Sequence, residues 1–532
     1  MGAVNVDGPE GPSIESVEEM AGRFSSELMT LMPGWRQRLI DNPEELVQLE
    51  SEVHSAFARG ADLLLAGLIA VVMKQPGFLT ASEQTRRGFS QPLAGGRERK
   101  IRVRLLGGLV LWIASLYCAP RRKAGTAEAR KSGLYVELAQ FGCGKGVTPG
   151  LESRVARQAA LCPSLELARD ELIRGGLTLD VKAVRRITYQ CGEGLLQLRK
   201  QQLMQWREGK LAAGSELGGQ RVTVQIDGGR TKIRGDVRPA PPKSEKTNAD
   251  GLVVDDAPGR SKPRPATTYD AEWREPKLIT IFVHDEHGRM VKGSKATIDG
   301  TFLGPDATAE LVAMHLHRLG AAEALSVTFA ADGAPWIWDR IERIVALAKL
   351  EEVKIYEVLD CCHAAHHISQ ALAALGLNHE ERMPLYREHR SLLRNGHWRR
   401  VVEELSDLAE LLDENSTARP AVLTEIDYLR KHGEAGRVSY PHFRSLGIPL
   451  GSGAIESSIR RVINLRLKSN SMFWREPHAE TMLQVRAQVI SDRWDERLKQ
   501  LRQHLRTHAR ADWTWTPQAM SIKSEPDNAT AV

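Results

Sequence analysis

Apolar residues recur at helical spacing between positions 15 and 75, as at Leu46, Leu49, Val53 and Phe57, which predicts two or three helices. The period then shortens to two. Ile101-Arg102-Val103-Arg104 alternates and Gly107-Gly108 supplies a turn, so 101–117 reads as a β-hairpin. The small, basic stretch 119–135 reads as loop. Three short helical patterns fill 150–195, and the third begins at Asp180, a good N-cap. Val181, Val184, Ile187 and Cys191 share one face of it, and Lys182, Arg185, Arg186 and Tyr189 share another. Two helices leading into a basic-faced third is the pattern of a helix-turn-helix DNA reader, and also of any small three-helix bundle with a solvated outer face.

After residue 220 the pattern becomes that of strands. Arg221 to Ile226 is β-rich and stops at Asp227-Gly228-Gly229, with further strands at 277–284, 295–302, 325–330 and 353–359. Helices at 307–319 and 336–349 separate the later ones. Three early strands followed by strand–helix alternation indicate a mixed α/β sheet. The polar, Pro- and Lys-rich excursion 235–272 reads as a surface loop. Residues 364–445 turn helical again, 447–453 is a Gly/Pro/Ser break, and one long helical stretch is expected over 454–508. The chain thus divides into a helical region (1–100), a small hairpin and loop region (101–148), a helix-turn-helix-like region (149–215), an α/β core (221–363 with 446–510), a helical insertion (364–445) and a polar tail (517–532).

Composition narrows the class. With 532 residues, 42% apolar and 26% charged, the chain is an ordinary globular protein of several domains. The longest apolar run, 63–73, falls short of the ~20 residues that span a bilayer. Residues 1–20 are acidic and show no leader, so a cytoplasmic protein is expected. Six cysteines without a C-x-x-C pair fit a reducing compartment. The net charge is +6, and 451–510 alone holds twelve Lys and Arg against six Asp and Glu. The whole excess therefore lies in that segment, which favours a polyanionic partner or else marks a solvated helix face.

Among 67 acids, context is the signal. Asp227 and Asp332 each end a strand and precede glycine. If those strands are neighbours, both carboxylates project from one edge of the sheet, whereas each alone also suits a turn. Glu456 follows Gly451-Ser452-Gly453 in the first turn of the last helical stretch, where negative charge is tolerated. Asp360-Cys361-Cys362-His363-Ala364-Ala365-His366-His367 tempts a zinc reading. Its ligands crowd one helical turn with no second pair elsewhere, so Asp360 and His363 at an active-site edge is the preferred reading.

Asp227-Gly228-Gly229-Arg230, then Asp332-Gly333-Ala334-Pro335-Trp336-Ile337-Trp338, then Leu359-Asp360-x-x-His363, then Gly451-Ser452-Gly453-Ala454-Ile455-Glu456-Ser457 occur in that order. Together they resemble the DDE transposases of bacterial insertion sequences, in the ISKra-type branch with Mutator-like kinship. The resemblance covers 221–490 well and 100–220 more loosely. It departs in one respect, for the cysteine pair that often precedes the helix-turn-helix is replaced by isolated Cys118 and Cys143.

The resemblance implies an RNase H-like core with a helical insertion, a mainly helical N-terminal DNA-binding region, and Asp227, Asp332 and Glu456 as catalytic triad. It implies Mg²⁺ held by those three acids, with Mn²⁺ as a substitute, and His363 positioning substrate. The implied activity is phosphodiester hydrolysis and strand transfer. Lys182, Arg185 and Arg186 would contact element ends, and Arg460, Arg461, Arg466 and Lys468 would hold phosphates. The partners are double-stranded DNA and, because two ends must meet, further copies of the chain. Trp336, Trp338 and Trp474 either pack the sheet or stack on a base. An inactive DNA-binding relative, a nuclease that does not join, and a zinc-stabilised interaction protein are the competing readings.

Overall fold

The computed structural model describes residues 3–120, 133–144, 146–237, 269–413, 416–468, 472–508 and 510–518. Most of the expected loop at 119–135, the 238–268 part of the polar excursion and the tail beyond residue 518 lie outside them.

The chain opens with β1 (Val4–Val6), α1 (Val17–Asp41), α2 (Leu46–Met73), α3 (Pro76–Arg87), β2 (Arg97–Arg104), β3 (Val110–Cys118), β4 (Leu134–Tyr135) and α4 (Val136–Gln140). β2 and β3 form the expected hairpin. β1 and β4 also pair with β3, so Val4 lies opposite Ile113 and Cys118 opposite Leu134. The separate regions expected at 1–100 and 101–148 are therefore one unit. A lone hairpin cannot bury its apolar face, and here Leu63, Ala66, Ala70 and Met73 of α2 cover Val103, Leu111 and Ile113 in a shared core. By length and composition alone the stretch Pro43–Met73 would suffice to cross a membrane, which the count of one apolar run missed. One side of it nonetheless packs on this sheet.

Three helices follow: α5 (Pro149–Leu161), α6 (Leu165–Arg174) and α7 (Val181–Arg207). Asp180 caps α7, accepting from Ala183 N–H at 2.6 Å. The short third helix expected up to residue 195 runs on for 27 residues, because Leu195, Leu196, Leu198 and Leu203 extend its apolar face. Its second half is anchored where buried Arg199 meets Asp299 at 2.9 Å and Glu480 at 2.6 Å. The trihelical unit is thus joined to the sheet, with Val155, Val184 and Ile187 sharing a core with Leu278, Ile298, Ile455 and Met482.

The central part comprises β5 (Arg221–Gly228), β6 (Thr231–Val237), β7 (Tyr269–Arg274), β8 (Lys277–His284), β9 (Thr297–Thr301), α8 (Pro305–Leu319), β10 (Ser326–Ala331), α9 (Pro335–Trp338), α10 (Ile341–Ala348) and β11 (Lys354–Leu359). Five of these strands form one sheet in the order β11–β10–β5–β8–β9. β10 runs parallel to β5 and β11, while β8 is antiparallel to both β5 and β9. Val222, Val224, Ile226, Val327 and Phe329 pack with Leu311 and Met314 of α8 and Ile341 and Ile344 of α10. Strand alternation sends Thr223, Gln225 and Asp227 to the opposite face. β6 and β7 form a separate two-stranded ribbon growing from the end of β5.

Helices α11 (Cys361–Ala374), α12 (His379–Arg394), α13 (Trp398–Glu410), α14 (Ala418–Glu434) and α15 (Tyr440–Ser445) lie between β11 and the glycine break. The long helix expected over 454–508 is divided. α16 (Gly453–Ile459) passes into a π-helical turn at Arg460–Asn464, and α17 (Glu476–Ile490) and α18 (Trp494–Thr507) follow an irregular link. The link exists because Trp474 is drawn into the ribbon edge: Trp474 N–H donates to Lys232 O at 3.0 Å and Arg234 N–H to Trp474 O at 2.7 Å. Pro477 then begins α17 in its first turn, where its missing N–H costs nothing.

Candidate active site

The strand ends bring acids together. Ala330 pairs with Gln225, and Ala331 pairs with Leu359. Continuing this register places Asp227, Asp332 and Asp360 in one row across β5, β10 and β11, on the face that carries Gln225. Neither Gly228 nor Gly333 has a positive φ. Both are glycines for space instead: a Cβ on Gly228 would collide with Glu275, and one on Gly333 with the Tyr428 hydroxyl. The turn reading of Asp227-Gly228 gives way, since both residues lie within β5.

The Asp227 carboxyl is pushed up to about 6, first by burial and then by the charge of Asp332, with Glu275 adding to it. Its own Gly228 N–H, at 2.6 Å, and His363 act in the opposite sense. Asp332 accepts from Ala334 N–H at 3.2 Å, and its carbonyl accepts from Trp338 Nε1 at 3.0 Å.

Glu456 reaches this edge through a docked helix. Buried Gln225 donates to Gly451 O at 2.8 Å and accepts from Ile455 N–H at 2.9 Å. Thr280 of β8 donates to Ser458 Oγ at 3.1 Å. Asp360, 2% exposed, accepts from the N–H groups of Cys362 (2.6 Å) and His363 (2.9 Å), and from both the N–H and the hydroxyl of Ser452. Four donors satisfy this buried carboxylate and lock β11, α11 and α16 to one another. Ser452 Oγ also lies 3.1 Å from Glu456 Oε1, and His363 Nε2 lies 3.8 Å from the same oxygen. His363 therefore lies beside Glu456, and its charge is also felt at Asp227.

The chemistry of the donor set, three carboxylates with an imidazole beside them, suits a hard divalent cation. As arranged, no group of three or more His, Cys, Asp or Glu side chains among the described residues is gathered closely enough to hold a metal ion. This applies to Asp227, Asp332 and Glu456 and equally to the zinc reading of 361–367. In that helical turn Cys361 packs toward the core, Cys362 is exposed, His363 turns to Glu456, and His367 pairs with Glu425.

Side chains not singled out from sequence complete the site. Lys277, opposite Gly228 in register, is 7% exposed, contacts Glu275 at 2.5 Å and lies 4.3 Å from the Trp336 ring. From α14, Tyr428 stacks on His367 at 3.5 Å and covers Gly333. Gln225 carried a readable signal, being a polar residue inside the otherwise β-branched and apolar run Val222 to Ile226. Ser452 stood within the Gly451-Ser452-Gly453 string, and Lys277 and Tyr428 carried no signal.

The basic residues divide. Lys182, Arg185 and Arg186 are exposed on α7, and Arg186 lines a cleft with Arg102 and Arg104 of β2. Tyr189 leaves that face to stack on His478 at 4.4 Å. Arg460, Arg461 and Lys468 are exposed. Arg466 is not available to phosphate. It is buried, donates to Ala159 O at 3.3 Å and lies 5.1 Å over the Trp474 ring. Arg486, Arg493 and Arg497 are buried as well, so the charge excess of 451–510 is partly internal. Trp338 and Trp474 pack within the protein, and Trp336 is half-buried beneath Lys277.

No protein-family model, curated protein or solved structure matches this chain.

Proposed function

We propose that the chain is a DDE transposase of an insertion sequence, which cleaves and joins DNA strands at Asp227, Asp332 and Glu456. The observation that carries the reading is the row of acids on adjacent strand ends, with Glu456 tied to Asp360 of that row through Ser452. A further support is the sheet order β9–β8–β5–β10–β11 with only β8 reversed, the order an RNase H-like core would have.

Asp227, Asp332 and Glu456 would be the residues that hold Mg²⁺. Bound there, the metal supplies charge neutralisation at the leaving oxygen and activation of the attacking one. The side chains have their own tasks. Asp227 and Asp332 repel each other, so their edge is primed to accept positive charge. Ser452 and His363 orient the Glu456 carboxyl. Half-buried His363 can contact a phosphate oxygen entering beside Glu456, and Arg460, Arg461 and Lys468 hold the flanking backbone without reading sequence. Lys182, Arg185 and Arg186 would engage the element end.

The test is incubation of the purified chain with Mg²⁺ and a plasmid carrying its own flanking DNA. Asp227→Asn, Asp332→Asn and Glu456→Gln should each abolish cleavage and leave DNA binding in place. Normal strand transfer by any of the three overturns the assignment, and cleavage without joined products replaces transposase by nuclease.

A further inference from the structure

The ribbon that grows from the Asp227 strand end carries chemistry the site does not use. Thr231 and Ile233 face inward, and Ile233 bridges Trp474. On the opposite face, Lys232 lies directly across from Trp273 in register. Its ammonium is 5.1 Å from the Trp273 ring and 5.6 Å from the Phe473 ring. Trp273 is 53% exposed and Phe473 36% exposed. Phe473 points outward while its neighbour Trp474 is buried and bridged to Ile233. Two aromatic rings flanking one cation on open surface are not core packing. Arg230 and Arg274 are exposed nearby, Arg274 being 3.3 Å from Glu476.

We infer that the face formed by Trp273, Lys232 and Phe473 is a stacking platform for unpaired nucleobases of the DNA strand that enters or leaves the Asp227 edge. This rests on the proposed DNA-cleaving function. Aromatic faces accept any base, and the neighbouring cations follow the phosphate backbone. Position supports the same occupant. Trp273 precedes Lys277, the residue opposite Gly228, by four residues, at most about 14 Å of fully extended chain. That is a span of a few nucleotides from the reacting phosphate. Lys232 between the rings and exposed Arg230 offer a strand two cations, while Arg274 is held by Glu476 and Lys277 by Glu275.

The experiment measures binding of the full chain to a fluorescent 15-nucleotide oligothymidylate and to a 15-base-pair duplex. Trp273→Ala and Phe473→Ala should each weaken single-strand binding by about 5- to 100-fold, with duplex binding within twofold of wild type. Trp273→Phe should restore most of the affinity, which separates loss of a ring from loss of fold. A 2-aminopurine in the oligonucleotide should be quenched by the wild type and not by Trp273→Ala. Wild-type single-strand affinity in both alanine variants, or an equal loss on duplex, overturns the platform. Asp227→Asn keeps the two ideas apart: it should bind oligothymidylate normally, so that failure of the catalytic assignment leaves this result intact, and the reverse.

Discussion

Gln225 on β5 and Ile455 on α16, 230 residues apart, are joined by a 2.9 Å hydrogen bond from the Ile455 N–H to the Gln225 side-chain oxygen. The same amide donates to Gly451 O, so one buried side chain clamps both sides of the Gly-Ser-Gly turn. Asp227 lies two residues beyond Gln225 on the same face of the strand. The clamp thus sets the separation between the strand acid and the helix that carries Glu456.

Gln225→Leu tests that relationship. It keeps similar bulk but leaves the Ile455 N–H and the Gly451 carbonyl unpaired in the interior, at a cost of about 2–4 kcal/mol. We expect a lower melting temperature and a fall in kcat for cleavage of at least ~10-fold, with DNA affinity unchanged. A variant with full kcat would show that Glu456 is held by Asp360 and Thr280 alone.

Asp227 is held in a place that disfavours its charge. Its folded-state value of about 6 lies above the ordinary 3.8. The protonated form is therefore favoured by folding, and the stability it contributes is present below about pH 3.8 and lost as pH rises through about 6. In EDTA at pH 8, Asp227→Asn should be more stable than wild type by about 1–3 kcal/mol, and the gain should shrink toward pH 5. Adding Mg²⁺ should raise the wild-type melting temperature more than that of the variant. Equal melting temperatures at pH 8 in EDTA would contradict the strained-edge account.

Exposed and buried cations should separate cleanly. Replacing Lys182, Arg185 and Arg186 with Gln should weaken binding to DNA and lower the slope of log K against log salt by up to about 3, and Lys182→Gln with Arg185→Gln alone should do so without altering the melting temperature. Arg466→Gln should do the opposite, destabilising the protein by about 1–3 kcal/mol through loss of its Ala159 and Trp474 contacts, with the salt slope intact. Salt titrations alongside thermal melts decide between them.

Interior histidines give the protein an acid limit, His284 and His432 among them. Burial lowers His284 and His432 to about 4, below the ordinary 6.5, with Arg221 and Arg437 respectively adding to the effect. Their neutral forms are favoured by folding, so this stability is whole above about pH 6.5 and is lost as pH falls toward 4. Each should cost about 2 kcal/mol at pH 5. His432 sits among aromatic neighbours, 5.6 Å from Trp338 and 4.7 Å from Tyr428, so His432→Phe should preserve packing and flatten the dependence. Urea midpoints at pH 7 and pH 5 provide the check, and an unchanged pH slope would rule His432 out.

Local patterns made much of the protein legible. Alternation marked β2, and β-rich or continuous apolar runs marked β3, β5 and β8, because a strand buried on one or both faces must write that burial into its sequence. Asp180 announced α7, since a helix start leaves N–H groups that only certain side chains satisfy. The acids before Gly228 and Gly333 stood out because glycine was required there, although the requirement is room for Glu275 and Tyr428 rather than a turn. Other features could not be read locally. The division of 454–508 depends on Trp474 pairing with a ribbon more than two hundred positions earlier. The burial of Arg466 depends on carbonyl and aromatic partners from α5 and the irregular link.

The amino-acid order alone determined most of the helices and sheet strands and which few acids end strands, because hydrophobic period and capping act over a handful of neighbouring residues. It did not determine the ribbon strands β6 and β7, which take up both ends of the expected 235–272 loop. Only the tertiary structure decided that Asp227, Asp332 and Asp360 share a row, that Glu456 is moored beside them by Gln225, Ser452 and His363, and which arginines face solvent. Those outcomes depend on strand order and on buried hydrogen bonds between remote segments, whose energies exist only once the segments have met.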